Sequence, residues 1–363
     1  TASRFAADLK PGDAVEHLVE LDRIAAMNGN NRALGTPGYQ ASLDYVVATL
    51  RGAGFTVDTP EFSTSRYKAG EQQLTVAGAK LKAAAMDYSP ATPDTGVTAP
   101  VSVLSGDHAL GCAPGDYAQA RGTIGVVQRG TCRFTVKDTL ATQAGAVGVL
   151  VRFAGDADGH GTLDESPDAR VPIMSIGEGE LGKLPAGTPA TMTVTGKAEK
   201  IVSHSVIVQT TTGDANNVVV AGAHLDSVPA GPGINDDGTG TAALLAIALA
   251  LGPHPKVTNA IRFAWWGGEE AGLLGSSAYV KGLSPQERLK IALYLNFDML
   301  GSPNPGYLVY DGSNITDENG KKTITDGPAG SKAISAMFND YYAGHGIATD
   351  PIRVRTRSAA HCS

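Results

Sequence analysis

One histidine and a series of carboxylates stand out because each follows a short apolar run. Val218–Ala221 leads into His224-Leu225-Asp226, and Asp236 follows within Gly233-Ile234-Asn235-Asp236-Asp237-Gly238. Ala260–Trp265 leads into Gly267-Gly268-Glu269-Glu270, and Ala292–Phe297 leads into Asp298. An imidazole among carboxylates suits Zn²⁺, which takes nitrogen and oxygen at about 2.0–2.2 Å. An all-oxygen set would suit Mg²⁺ or Ca²⁺. The acidic groups outnumber what one ion can use, which points to two ions about 3.5–4 Å apart with a carboxylate bridging them. Adjacent Glu269 and Glu270 face one site only from irregular backbone, and Gly267, Gly268 and Gly272 supply that freedom. One of the pair can then bind metal while the other carries protons. Asp237 reads as a turn residue.

These groups meet only if their strands share an edge. From Ser205 on, strands at Val218–Ala221, Ala260–Trp265 and Ala292–Phe297 alternate with helices at 238–251 and 273–280. That rhythm predicts an α/β fold with a mixed, largely parallel central sheet and helices on both faces. Sites in such sheets form at the carboxyl ends of strands. Near the start, Pro11-Gly12-Asp13 opens a helix, with Asp13 and Glu16 in capping-box spacing. A second helix runs over 38–51 with Leu43, Val46, Val47 and Leu50 inward, followed by a strand at 55–57. Between 63 and 204 short strand-like runs alternate with Gly, Pro and Asp turns, and one amphipathic helix spans 134–144. The reading is therefore a main domain from 1–62 and 205–351, a β-rich insert at 63–204, and an aberrant tail at 352–363.

The 363 residues suggest about two domains. Apolar residues at 42% and charged residues at 18% exclude a disordered chain. A net charge of −7 argues against a nucleic-acid surface. The longest apolar run, 242–251, is well short of the ~20 residues of a membrane span and reads as a buried helix. Three cysteines, Cys112, Cys132 and Cys362, allow at most one pair. No charged and apolar leader opens the numbering, so an exported protein would have lost its signal before Thr1.

The segments AGAHLDSVPAGPGINDDGTGTAALL, RFAWWGGEEAGLLGSSAYV and YLNFDMLGSPNPGYLVYDG resemble the secreted bacterial co-catalytic dizinc aminopeptidases. Those belong to a wider zinc peptidase family that includes glutamate carboxypeptidase. The stretch NGNNRALGTPGYQASLDYV resembles the same family's first two helices. The resemblance implies two zinc ions. His224 and Asp298 would hold one, Asp236 would bridge both, and Glu270 would hold the second. Glu269 would be the general base, and Asp226 would orient His224. The insert, with GCAPGDYAQARGTIGVVQRGTCRFTVKDTLATQAGAVGVLV and VPIMSI, resembles a protease-associated (PA) domain. That resemblance implies a Cys112–Cys132 disulfide and an exported, extracellular protein, with Cys362 the odd thiol.

The resemblance holds through Thr349-Asp350-Pro351 and then fails. The family places there a Gly-Arg-Ser-Asp segment that binds the substrate's N-terminal end, and after it a histidine for the second zinc. Only Arg357-Ser358 echoes this, which makes Arg357 a candidate substrate contact. His361 sits in a short cationic tail and reads as frayed rather than as a replacement ligand. A truncation or frame change is the plainest explanation, and it would weaken the second zinc site. His17, His108, His160, His204, His254 and His345 read as surface or loop residues, and Trp265-Trp266 as core. The expected function is zinc-dependent release of apolar N-terminal residues from peptides or proteins by a monomer. The alternatives are an inert peptide-binding protein on the same fold, or a carboxypeptidase or dipeptidase.

Overall fold

The computed structural model describes residues 5–6, 9–155, 159, 161–163, 169–310, 315–317, 322–324, 330–352 and 355–356. His160, Arg357, His361 and Cys362 lie outside them. The chain divides into two compact units, one formed by Thr64–Ile201 and the other by the segments on either side of it. Both boundaries fall inside the strands Glu61–Lys68 and Lys197–His204, which pair as a two-stranded sheet of their own.

The discontinuous unit is built on a five-stranded sheet. Its strands are β1 (Val57–Asp58), β2 (Val206–Gln209), β3 (Asp214–His224), β4 (Asn259–Trp266) and β5 (Ile291–Asn296), in the spatial order β1-β2-β4-β3-β5. β1, β2 and β4 pair antiparallel; β3 is parallel to both of its neighbours, β4 and β5. The sheet is thus mixed, with its three site-bearing strands parallel. β1 starts two residues later than the sequence pattern suggests: the Phe55 N–H donates back to the Leu50 carbonyl at 3.1 Å, closing the preceding helix, while its side chain is buried in the core.

Strand parity assigns the two faces. Val206, Val208, Ala221, Ala223, Phe263 and Trp265 point into one core with α1 (Pro11–Met27), α2 (Pro37–Gly52) and α3 (Thr239–Leu251) packed on that side. Ile207, Ala264 and Trp266 point the other way, against Tyr279 of the helix Leu274–Gly282. Trp265 is fully buried and its indole N–H donates to the Thr241 carbonyl at 3.1 Å. Burying a side chain of that size removes roughly 150–250 Å² from water, worth roughly 4–6 kcal/mol.

α1 begins at Pro11, with Lys10 as an uncapped N-cap, so the Asp13/Glu16 capping box does not form. Proline's preset φ starts the helix two residues earlier, which moves Asp13 inside the first turn. His17 is also not a surface residue. It lies half-buried on α1, with Nδ1 2.6 Å from the Tyr45 hydroxyl of α2. Burial lowers its pKa below 6.5, against the pull of Glu16 and Asp13. The unfolded chain therefore takes up this proton first, so the site's contribution to stability is full above 6.5 and fades as pH falls through the folded value. His17→Gln is expected to flatten the loss of thermal stability between neutral pH and about 5. An unchanged slope in melting scans would contradict this.

In the second unit eight strands form one sheet. Four of them, Val97–Val103, Ile124–Gln128, Gly148–Phe153 and Ile173–Gly177, run parallel and adjacent. The helix Phe134–Ala144 crosses over between the second and third and stops at Gly145, whose φ of +81° terminates it. The strands and helix match the sequence pattern, but their parallel arrangement was not apparent from it. Cys112 and Cys132 are joined, with an S–S distance of 2.06 Å. Beside them Lys137 is buried and donates through Nζ to the Leu110 carbonyl. Replacing both cysteines by serine is expected to cost about 2–4 kcal/mol. A denaturant midpoint equal to wild type would contradict a structural role for the bridge.

Candidate metal centre

The parallel register fixes where the site falls. His224 pairs with Trp266, and Gly222 with Asn296. The residues just past β4 and β5 therefore flank the end of β3 on one edge of the sheet. His224 is buried, and its Nε2 lies 3.0 Å from Asp236 Oδ1, 3.8 Å from Asp298 Oδ1 and 3.9 Å from Glu269 Oε2. Its other nitrogen, Nδ1, is 3.0 Å from the Asp226 carbonyl and 3.6 Å from the Asp226 carboxylate. With an Nδ1 hydrogen held on that side, a neutral ring would present its Nε2 lone pair to the carboxylates, the arrangement a bound cation needs.

The fully buried Asp226 has a second task. Its carboxylate accepts the backbone N–H groups of Glu269 at 3.0 Å and Glu270 at 3.3 Å. One carboxylate thus ties the Glu-Glu loop to the end of β3. Gly268 makes that loop possible with φ at +70°, and a Cβ at Gly267 would sit 2.0 Å from the Tyr39 hydroxyl.

Asp236 and Asp237 diverge: the Asp236 side chain is 46% exposed, while Asp237 is fully buried. Asp237 Oδ1 accepts from the Gly240 and Met299 N–H groups, and Oδ2 from the His224 N–H. It is more than the turn residue its sequence context suggests, since it straps β3, α3 and the segment after β5 together.

Sequence reasoning missed Arg32, which is also fully buried. Its guanidinium donates to the carbonyls of Leu225, Pro232 (3.0 Å) and Gly233 (2.7 Å), and its backbone N–H donates to Ser227 Oγ. All four partners lie in the segment between His224 and Asp236. Burial lowers the Arg32 pKa to about 10, with Asp226 and Asp237 opposing, so it stays cationic at neutral pH.

The cluster gathers an excess of negative charge around the buried His224. Burial works against a charged His224, yet Asp226, Asp237 and Asp298 together hold its pKa up at about 10. Burial, reinforced by Asp298, pushes Asp237 up to about 8. Glu269, Glu270 and Asp298 are each raised, first by burial and then by their acidic neighbours. Acids that raise one another's pKa favour a cation among them. His224, Glu269 and Glu270 bring ligand atoms within 4.8 Å of one another, as do His224, Asp237 and Asp298. Ligands of a tetrahedral zinc lie about 3.4 Å apart, given bonds of about 2.0–2.1 Å. The 3.0–3.9 Å separations around Nε2 bracket that value, so the donor set fits zinc.

A mixed α/β sheet with this cluster at the carboxyl edge of its parallel strands has the architecture of a zinc exopeptidase. The sequence pattern of peptidase family M28 matches residues 205–357, and that of the PA domain matches residues 97–184. The chain belongs to peptidase family M28 and carries an inserted PA domain. It is 46% identical to the probable lipoprotein aminopeptidase LpqL of Mycobacterium tuberculosis over 86% of this chain and 64% of that protein. It is 38% identical to an aminopeptidase of Pseudomonas aeruginosa over 96% of this chain and 68% of that one. The chain thus spans about two thirds of the length of these relatives. Among solved structures it resembles BSAP, a zinc aminopeptidase from Bacillus subtilis, with a TM-score of 0.67 and 25% identity over 94% of this chain and 80% of that one. The aminopeptidase from Aneurinibacillus sp. strain AM-1 is similar, with a TM-score of 0.68 and 25% identity over 87% of this chain and 77% of that one.

Proposed function

We propose that this chain is a zinc aminopeptidase that releases apolar N-terminal residues from peptides. The observation that carries the reading is the buried Nε2 of His224 facing oxygens of Asp236, Asp298 and Glu269 within 3.9 Å. His224 and Asp298 would hold one zinc, Asp236 would be shared, and Glu270 would serve a second. Bound zinc supplies a Lewis acid that acidifies water and polarises a carbonyl oxygen. Glu269 takes the proton from the attacking water and delivers it to the leaving amine. Asp226 keeps Glu269 in reach through the backbone N–H it accepts.

Export is part of the proposal. The Cys112–Cys132 bridge supports an oxidising compartment. Among the described residues no helix is long and apolar enough to cross a membrane.

Hydrolysis of leucine p-nitroanilide is expected to stop with a chelator and to return with added Zn²⁺. Turnover indifferent to the chelator would contradict the reading. So would cleavage confined to the C-terminus of an N-acetylated peptide, which is the behaviour of a carboxypeptidase.

A further inference from the structure

Asp298 stands between two fixed points. The Phe297 N–H before it donates to the Gly222 carbonyl of β3 at 2.9 Å, and the Met299 N–H after it donates to Asp237 Oδ1 at 3.2 Å. The next two N–H groups continue the series. Leu300 donates to Thr239 Oγ1 at 2.9 Å and Gly301 to Asn235 Oδ1 at 3.2 Å. Three consecutive N–H groups past β5 are thus accepted by the side chains at 235, 237 and 239. Among the described residues none of the three donates to a backbone carbonyl. The acceptors are joined in turn: Thr239 Oγ1 donates to the Asn235 carbonyl at 2.7 Å, and Asn235 Nδ2 donates to Ser302 Oγ at 3.0 Å. The Asp236 side chain, in the middle of the run, takes no part and faces His224 Nε2 at 3.0 Å.

The seam is tight. A Cβ at Gly240 would sit 2.3 Å from the Phe297 carbonyl oxygen, and one at Gly301 would sit 2.6 Å from the Thr239 methyl group. Met299 holds a φ of +54°. A residue with a side chain keeps that conformation where its surroundings over-determine it, and the bonds on 299–301 do so here. Water would satisfy these N–H groups almost as well, so what the row fixes is position. We propose that Asn235 and Thr239 are positioning residues for the metal centre. With Asp237 they set the separation of Asp236 and Asp298, the two carboxylates read above as sharing the ion on His224. The inference rests on that zinc reading and adds two residues to it that touch no ion. A preset separation spares the ion from drawing Asp298 inward, so a loosened row weakens its hold. The Glu270 loop is tied separately, through Asp226.

The test reads the zinc affinity of the whole chain by competition with a chromogenic chelator, without turnover. Glu270→Gln supplies the background, because it leaves the ion on His224 as the one measured. In that background Thr239→Val removes the hydroxyl at nearly constant volume, and Asn235→Ala removes the amide. Each is expected to weaken zinc binding about 10–100-fold. Thr239→Ser keeps both hydroxyl bonds and should bind zinc like its parent. Thr239→Val and Asn235→Ala proteins that fold and bind zinc as tightly as the parent would overturn the proposal. So would a loss in Thr239→Ser equal to that in Thr239→Val, since the hydroxyl would then not be the cause. A wild-type chain that binds no zinc would overturn the zinc reading and this one together.

Discussion

Glu269→Gln is expected to lower turnover about a thousandfold while zinc remains bound. The amide is isosteric, and the backbone N–H that Asp226 accepts is untouched, so the loop keeps its place. What is lost is the group that takes and returns the proton. Glu270→Gln should behave differently. That side chain is proposed as a ligand, so its loss should show first as weaker zinc binding and be recovered by excess metal. Steady-state kinetics and metal analysis on the two variants separate these roles. A Glu269→Gln protein that turns over normally would remove the residue from proton transfer.

Arg32→Met is expected to destabilise the protein by about 3–5 kcal/mol, because breaking a buried charge network strands the remaining partners. The carbonyls of Leu225, Pro232 and Gly233 lose their donor, and Asp226 and Asp237 lose their buried counter-charge. Since those carbonyls belong to the segment joining His224 to Asp236, zinc affinity should fall with stability. Arg32→Lys should recover little, because a single ammonium cannot span three separated carbonyls. Denaturant unfolding with zinc titration measures both effects. Wild-type stability in Arg32→Met would show that the contacts carry no net energy.

The two buried polar residues, Arg32 and Asp237, mark the limit of what the sequence reveals. His224, Glu269, Glu270 and Asp298 are legible because each follows a short apolar run, and in an α/β rhythm such positions share an edge. Asp237 differs from Asp236 by one position, and nothing local says which turns inward. Arg32 meets partners about 200 residues away, so its burial depends on the completed fold. The same holds for the sheets. Strand positions follow from alternation and turns, but the order β4-β3-β5 and the four parallel strands of the insert depend on pairings distant in sequence. His17 misleads for a related reason: only its packing against Tyr45 removes it from the surface.

Catalysis by this site hinges on a cation held between His224 and its surrounding carboxylates. Crystals of the zinc-loaded protein measured at the zinc absorption edge test this directly. The prediction is an anomalous peak about 2 Å from His224 Nε2 and in contact with Asp236 and Asp298, with a second peak about 3.5–4 Å away beside Glu270. An ordered site with no anomalous peak within bonding distance of His224 would contradict it.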